Sequence, residues 1–123
     1  MLIPTLIVDD EPDTRLLMRL VIEEANEELR VGGEAASADE ALDTIEEIDP
    51  RVVLLDYMMP GVDGLEAAER ILERRPNQAI VLCSAFLDDK LRERARRAGI
   101  VACLSKGEFE SIPRVLREVS AAA

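Results

Sequence analysis

Arg51-Val52-Val53-Leu54-Leu55-Asp56-Tyr57-Met58-Met59-Pro60-Gly61 is the stretch on which the fold turns. Four aliphatic residues run straight into one carboxylate, between Pro50 and Pro60. Such a run reads as a strand buried on both faces, the kind found inside parallel sheets. An Asp at its carboxyl end lies where open α/β sheets bind ligands, in the crevice beyond the strand tips. Asp is equally a common turn residue, so position alone also allows Asp56 to cap the turn that follows. The neighbouring segments decide between the two.

Three other apolar runs have the same shape. Thr5-Leu6-Ile7-Val8 ends in Asp9-Asp10-Glu11, and Ala79-Ile80-Val81-Leu82-Cys83 ends in Ser84-Ala85-Phe86. Ile100-Val101-Ala102-Cys103-Leu104 ends in Ser105-Lys106-Gly107. A fifth, Leu29-Arg30-Val31-Gly32-Gly33-Glu34-Ala35, alternates only partly and carries two glycines, which marks an edge strand.

Helical patterns separate them. Pro12 and Asp13 suit the first turn of a helix. Its apolar residues, Leu16, Leu17, Met18, Leu20, Val21 and Ile22, span an arc of about 240°, wider than one buried stripe needs. The excess is either core or an exposed docking patch. Residues 23–28 read as the polar end of that helix and a turn. Ser37 and Asp63 open capping-box sequences, and Asp88 can cap a further helix that Gly99 stops. Ala41, Leu42, Ile45 and Ile48 form one stripe, ended by Pro50; Leu65, Ala68, Ile71 and Leu72 form the next, ended before Pro76. Leu91, Ala95 and Ala98 form a third. The last helix covers 111–120, with Ile112, Val115, Leu116 and Val119 apolar and Pro113 confined to its first turn; the tail 121–123 is expected to fray. Five strands alternate with five helices, which predicts a doubly wound α/β fold on a parallel sheet. The whole of 1–123 reads as a single domain.

Composition narrows the function. Aromatic residues are only 2% of the 123, so the core is aliphatic. The net charge of −11 argues against nucleic acid or an anionic membrane surface as partner, and favours basic partners or a metal ion. No apolar run is long enough to span a membrane, and residues 1–8 are too short and too acidic at their end for a signal peptide. Cys83 and Cys103 have no metal-site spacing; they read as small buried hydrophobes of a reduced, cytoplasmic protein, with a disulfide between neighbouring strands as the alternative. There is no His, which removes Ser/His and Cys/His catalysis and any phosphohistidine within the chain. No Walker-type phosphate loop is present.

A parallel sheet puts all the strand ends on one rim. Asp9, Asp10, Asp56, Ser84 and Lys106 therefore meet in one crevice. Three crowded carboxylates repel unless something neutralises them, and Mg2+ suits a few carboxylates plus water and phosphate. Lys106 ends an apolar run and is one of two lysines. Its compact charge suits a phosphate oxygen.

The ordered set resembles the response-regulator receiver domains of two-component signalling, over essentially the full length. It comprises Asp9-Asp10, Asp56 with Met59-Pro60-Gly61 and Gly64, Ser84-Ala85, and Lys106. The resemblance implies a flavodoxin-like, CheY-like sheet in the order 2-1-3-4-5. It implies a signalling phosphoacceptor rather than an enzyme, with no output domain within 1–123. Asp56 would take a phosphoryl group from a sensor histidine kinase or phosphotransfer protein. Asp10 would ligate Mg2+, with Asp9 direct or through water and Asp56 and the Met58 backbone carbonyl as further ligands. Lys106 would pair with the phosphoryl group, Ser84 would bond it, and the small Ala85 would leave it room. A downstream protein or output domain would read the result.

Two positions depart from the family pattern. Cys103 stands where an aromatic switch residue is usual, and Gly107 where a cis proline is usual; regulators with NarL-type helix-turn-helix outputs often lack that proline. With no aromatic at 103, Phe86 is expected to take up the space, and residues 84–88 with the start of the helix that follows them are expected to report phosphorylation. Rival readings fit less well. A haloacid-dehalogenase-type phosphatase needs a second Asp where Met58 stands, and a flavodoxin needs a phosphate loop where Asp9-Asp10-Glu11 would repel one. A receiver-like module that works without phosphorylation usually lacks one of the acids or the lysine. Arg92, Arg94, Arg96 and Arg97 read as a solvated helix face partly paired with Glu93, rather than as a nucleic-acid patch.

Overall fold

A computed structural model of the chain describes residues 2–25 and 28–122. Strands and helices alternate throughout. β1 (Ile3–Val8) leads to α1 (Pro12–Ala25), β2 (Leu29–Ala35) to α2 (Ala38–Ile48), and β3 (Val52–Asp56) to α3 (Gly64–Arg74). β4 (Ala79–Ser84) leads to α4 (Asp89–Arg97), and β5 (Ala102–Ser105) passes through a 3-10 segment (Lys106–Ser111) into α5 (Ile112–Ala122). The five strands are parallel in the order β2-β1-β3-β4-β5. The doubly wound fold and the 2-1-3-4-5 order expected from the sequence are therefore present.

Two apolar layers hold the sheet. Strand side chains alternate between faces. Leu6, Val8, Val53, Leu55, Ile80 and Leu82 face α2, α3 and α4. Ile7, Leu54, Val81 and Cys83 face α1 and α5, where Met18, Ile22, Ile112 and Leu116 close the layer. β3 is buried at all five positions, as expected for the central strand. β2 lies at the edge, and its pairing with β1 slips between Thr5 and Leu6 so that Gly32 is the extra residue of a bulge.

The three expected caps are all made. The side chains of Ser37, Asp63 and Asp88 accept from the backbone N–H of Glu40 (3.2 Å), Glu66 (3.0 Å) and Leu91 (2.8 Å). Gly99 follows α4 with φ +93°, the left-handed stop its position predicted. Pro113 sits in the first turn of α5. The last helix continues to Ala122, further than expected; Ala123 lies outside the described residues, as do residues 26 and 27 of the expected 23–28 turn. The 3-10 segment was not expected. The Ser105 hydroxyl accepts from the Gly107 N–H at 3.3 Å and starts it.

Both cysteines are free. Cys83 points into the α1/α5 layer while Cys103 packs against the opposite layer, so the sheet itself lies between them. This disposes of the disulfide alternative. The wide apolar arc of α1 resolves into two parts. Met18 and Ile22 are buried, whereas Leu16, Leu17 and Leu20 are about half exposed. Among the described residues no helix is long and apolar enough to cross a membrane.

Candidate functional site

The register of the sheet assembles the site. Val8 pairs with Leu55, so the residues that follow them, Asp9 and Asp56, emerge side by side. Ser84 pairs with Ser105, which places Lys106 just past the end of β5 on the same rim. Lys106 crosses back to the two acids. Its Nζ lies 2.9 Å from Asp56 Oδ1 and 3.1 Å from Asp9 Oδ2. Asp9 and Asp56 are both buried, and Asp10 is half-buried. One carboxylate oxygen from each of Asp9, Asp10 and Asp56 lies within 4.8 Å of the other two.

Asp9 is held at every polar atom. Its N–H donates to the Ala35 carbonyl (3.0 Å), and its own carbonyl accepts from Arg15 Nη1 (2.6 Å). Oδ1 accepts from the Glu11 N–H (2.9 Å), and Oδ2 from Lys106. Asp56 is held less completely. Besides Lys106, Oδ1 accepts from the Met58 N–H at 3.3 Å. Burial pushes the Asp56 carboxyl above the usual carboxylate range; the Lys106 hydrogen bond opposes this, and the nearby Asp9 charge adds to it. Burial also opposes the Lys106 charge, but its hydrogen bonds to Asp56 and Asp9 outweigh that and hold its ammonium above the ordinary lysine range.

The donor set fits a hard divalent cation. Every candidate ligand is oxygen, the three acids outnumber the one ammonium among them, and neither thiol is part of the cluster.

The other expected residues take these places. Ser84 is buried, and its hydroxyl is engaged in its own loop, donating to the Phe86 carbonyl (2.8 Å) and accepting from the Phe86 N–H (3.3 Å). Ala85 is exposed. Met58 meets the site through its backbone, and its side chain is exposed. Phe86 corrects an expectation. It is 89% exposed and fills no space beside Cys103; Leu87 is the side chain of this loop that packs inward, against the same layer as Cys103. The α4 arginines behave as a solvated face. Arg96 and Arg97 pair with Glu93, and Arg94 donates to the Tyr57 hydroxyl at 3.4 Å.

Sequence reading missed Arg15 and Glu34. Arg15 spans the Asp9 carbonyl and Glu34 Oε1 (3.0 Å), and Arg19 takes Glu34 Oε2 (2.7 Å). The i,i+4 spacing of the two arginines on α1 was visible, but their shared partner lies on β2, and only the packing of that strand beside α1 brings it there.

The chain matches the model of the response regulator receiver domain over residues 5–116. It is 39% identical over 116 residues to protein-glutamate methylesterase/protein-glutamine glutaminase 3 of Hahella chejuensis, covering 93% of this chain and 33% of that protein. It is 31% identical over 121 residues to the response regulator GacA of Pseudomonas aeruginosa, covering 98% of this chain and 56% of that one. The chain thus spans between a third and just over half of the length of these two relatives. A two-component response regulator of the LuxR family from Aurantimonas sp. superposes with a TM-score of 0.94 at 25% identity, over 99% of this chain and 87% of that one. Fold, matched span and acidic rim agree: this chain belongs to the response regulator receiver domains, the phosphoacceptor modules of two-component signalling.

Proposed function

We propose that Asp56 is the phosphoacceptor and that Asp9, Asp10, Asp56 and the Met58 carbonyl hold Mg2+. The observation that carries this is the Asp56 carboxylate, buried at the end of the central strand, with Lys106 at 2.9 Å and two further acids alongside. In the transfer, an Asp56 oxygen attacks the phosphorus of a phosphohistidine. The O–P bond forms and the N–P bond breaks. The electron pair stays on the donor imidazole, which then takes up a proton from solvent. Residues 1–123 hold no His, so the donor histidine lies outside them, on a sensor histidine kinase or phosphotransfer protein.

Lys106 already lies beside the attacking oxygen, where it pairs with the phosphoryl charge as it arrives. Mg2+, held by Asp9, Asp10, Asp56 and the Met58 carbonyl, would supply the positive charge that offsets the crowded carboxylates and the incoming phosphoryl group. Ser84 turns from the Phe86 carbonyl to a phosphoryl oxygen, a stronger, charge-assisted bond. Exposed Ala85 leaves that approach open. Residues 1–123 act as the receiver unit, in the cytoplasm, and a downstream protein or output domain reads its state.

Acetyl phosphate with Mg2+, followed by intact-mass measurement, tests the reading. One phosphoryl mass is expected on the native chain, and none on Asp56→Asn or in excess EDTA. A full shift on Asp56→Asn would move the acceptor elsewhere.

A further inference from the structure

Arg15 and Glu34 lie outside the cluster, yet Arg15 reaches into its backbone. Nη1 donates to the Asp9 carbonyl at 2.6 Å, and Nε donates to Glu34 Oε1 at 3.0 Å. The Asp9 carbonyl belongs to the peptide plane that joins Asp9 to Asp10. A planar peptide has no soft rotation of its own, so fixing its carbonyl fixes the direction in which the Asp10 Cα leaves. Asp9 is already immobile through Ala35, Glu11 and Lys106. The rotation of that one plane is what remains to be set, and the guanidinium sets it. A guanidinium offers several donors in one rigid fork, so a single side chain can hold the carbonyl and the Glu34 carboxylate together. The other Glu34 oxygen lies 2.7 Å from Arg19.

We infer that Arg15, clamped by Glu34, is a positioning residue for the cation site: it locks the Asp9–Asp10 peptide so that both carboxylates face the same point. This rests on the cluster binding a divalent cation, as proposed above.

Charge and geometry make opposite demands, which makes the inference testable. Arg15 is a positive charge near a cation site. Were charge its only influence, Arg15→Met would tighten Mg2+ binding. A positioning role predicts the reverse, a loss of about tenfold in affinity, the scale seen when a group orienting a metal ligand is removed. Arg19→Met is the control. It removes a cation bound to the same Glu34 but one that, among the described residues, pairs with Glu34 and Glu23 and not with the Asp9–Asp10 backbone, and it should leave the affinity within about twofold.

Mg2+ titration by calorimetry on the native chain and both variants provides the first measurement. The second is amide exchange in metal-free protein. The Glu11 N–H, bonded to Asp9 Oδ1, should lose protection in Arg15→Met, while the Asp9 N–H, bonded to Ala35, keeps its own. If Arg15→Met does not fold, Arg15→Lys carries both measurements, because it keeps the positive charge but lacks the rigid fork that holds the Asp9 carbonyl and Glu34 together. Weaker Mg2+ binding together with faster Glu11 exchange supports the inference. Unchanged or tighter Mg2+ binding in the Arg15 variant, or unchanged Glu11 exchange, overturns it. A native chain that binds no Mg2+ overturns the cation reading first, and this inference with it.

Discussion

Gly64 backs directly onto Asp56. A Cβ placed on Gly64 would lie 2.6 Å from the Asp56 carbonyl oxygen, 2.8 Å from the Tyr57 Cα and 2.9 Å from Leu82 Cδ1. The Gly64 N–H also donates to the Tyr57 carbonyl at 2.7 Å, closing the loop that leaves β3. The first residue of α3 is thus the wall behind the acid. Two of the three atoms it would strike are backbone, which cannot step aside as a flexible side-chain end can. Gly64→Ala is therefore expected to cost about 1–3 kcal/mol, the range for overpacking a tight site. It should also slow phosphorylation by acetyl phosphate, because relief of the clash moves Asp56 relative to Lys106. Urea denaturation and the phosphorylation rate check the two effects separately.

Burial raises the Asp56 pKa in the fold above its unfolded value. Across the interval between the two values the folded chain binds more protons than the unfolded one, so stability falls as pH rises through it. Above the folded pKa the penalty is fully present; below the unfolded pKa it is absent. Asp56→Asn removes the group and should raise the melting temperature at pH 7 in EDTA. That advantage should shrink as the pH is lowered through the folded pKa. Melting curves from pH 4 to pH 8 give the test, and an Asn variant less stable at pH 7 would contradict it.

Thr5 sits on β1 with its hydroxyl fully buried and no hydrogen-bond partner among the described residues. Its strand position shares the face of Ile3 and Ile7, an aliphatic layer. Replacing an unsatisfied buried hydroxyl by a methyl group of the same shape removes a desolvation cost. Thr5→Val is expected to stabilise by about 1 kcal/mol. A denaturation midpoint shifted upward at constant m-value is the expected signature.

Half-exposed Leu16, Leu17 and Leu20 lie on α1, which leads away from the Asp9-Asp10 loop. Leu17→Ser and Leu20→Ser should slow phosphotransfer from a protein donor about tenfold if this patch seats the donor, as for central apolar contacts of an interface. Phosphorylation by acetyl phosphate should be unaffected, because the small donor needs no such surface. Equal loss with both donors would place the defect in the site instead.

Phosphorylation should be reported by residues 84–91. Ser84 must release the Phe86 backbone to reach a phosphoryl oxygen, and Phe86 is solvent-exposed and free to follow. Cys103 cannot sweep the space an aromatic would. Amide exchange with and without a beryllofluoride mimic should change most in 84–91. Changes confined to Cys103 and α5 would reverse this assignment.

The order of strands and helices, the three caps and the rim of polar strand ends were legible in the sequence, because each rests on short-range physics. Hydrophobic period separates strand from helix, Ser37, Asp63 and Asp88 bond N–H groups three residues on, and a parallel sheet sends every carboxyl end the same way. What needed the tertiary structure depends on register and depth. Arg15 finds Glu34, and Lys106 finds Asp9 across 97 positions of sequence, only through strand pairing. Gly64 looks like an ordinary helix start until the Asp56 carbonyl is found behind it. Leu87 turns in and Phe86 turns out although both are apolar, because the Ser84–Phe86 backbone bonds set the loop's direction before hydrophobicity can. Cys83 and Cys103 sit on adjacent strands yet face opposite layers, since side-chain direction alternates along each strand and their pairing is offset by one residue.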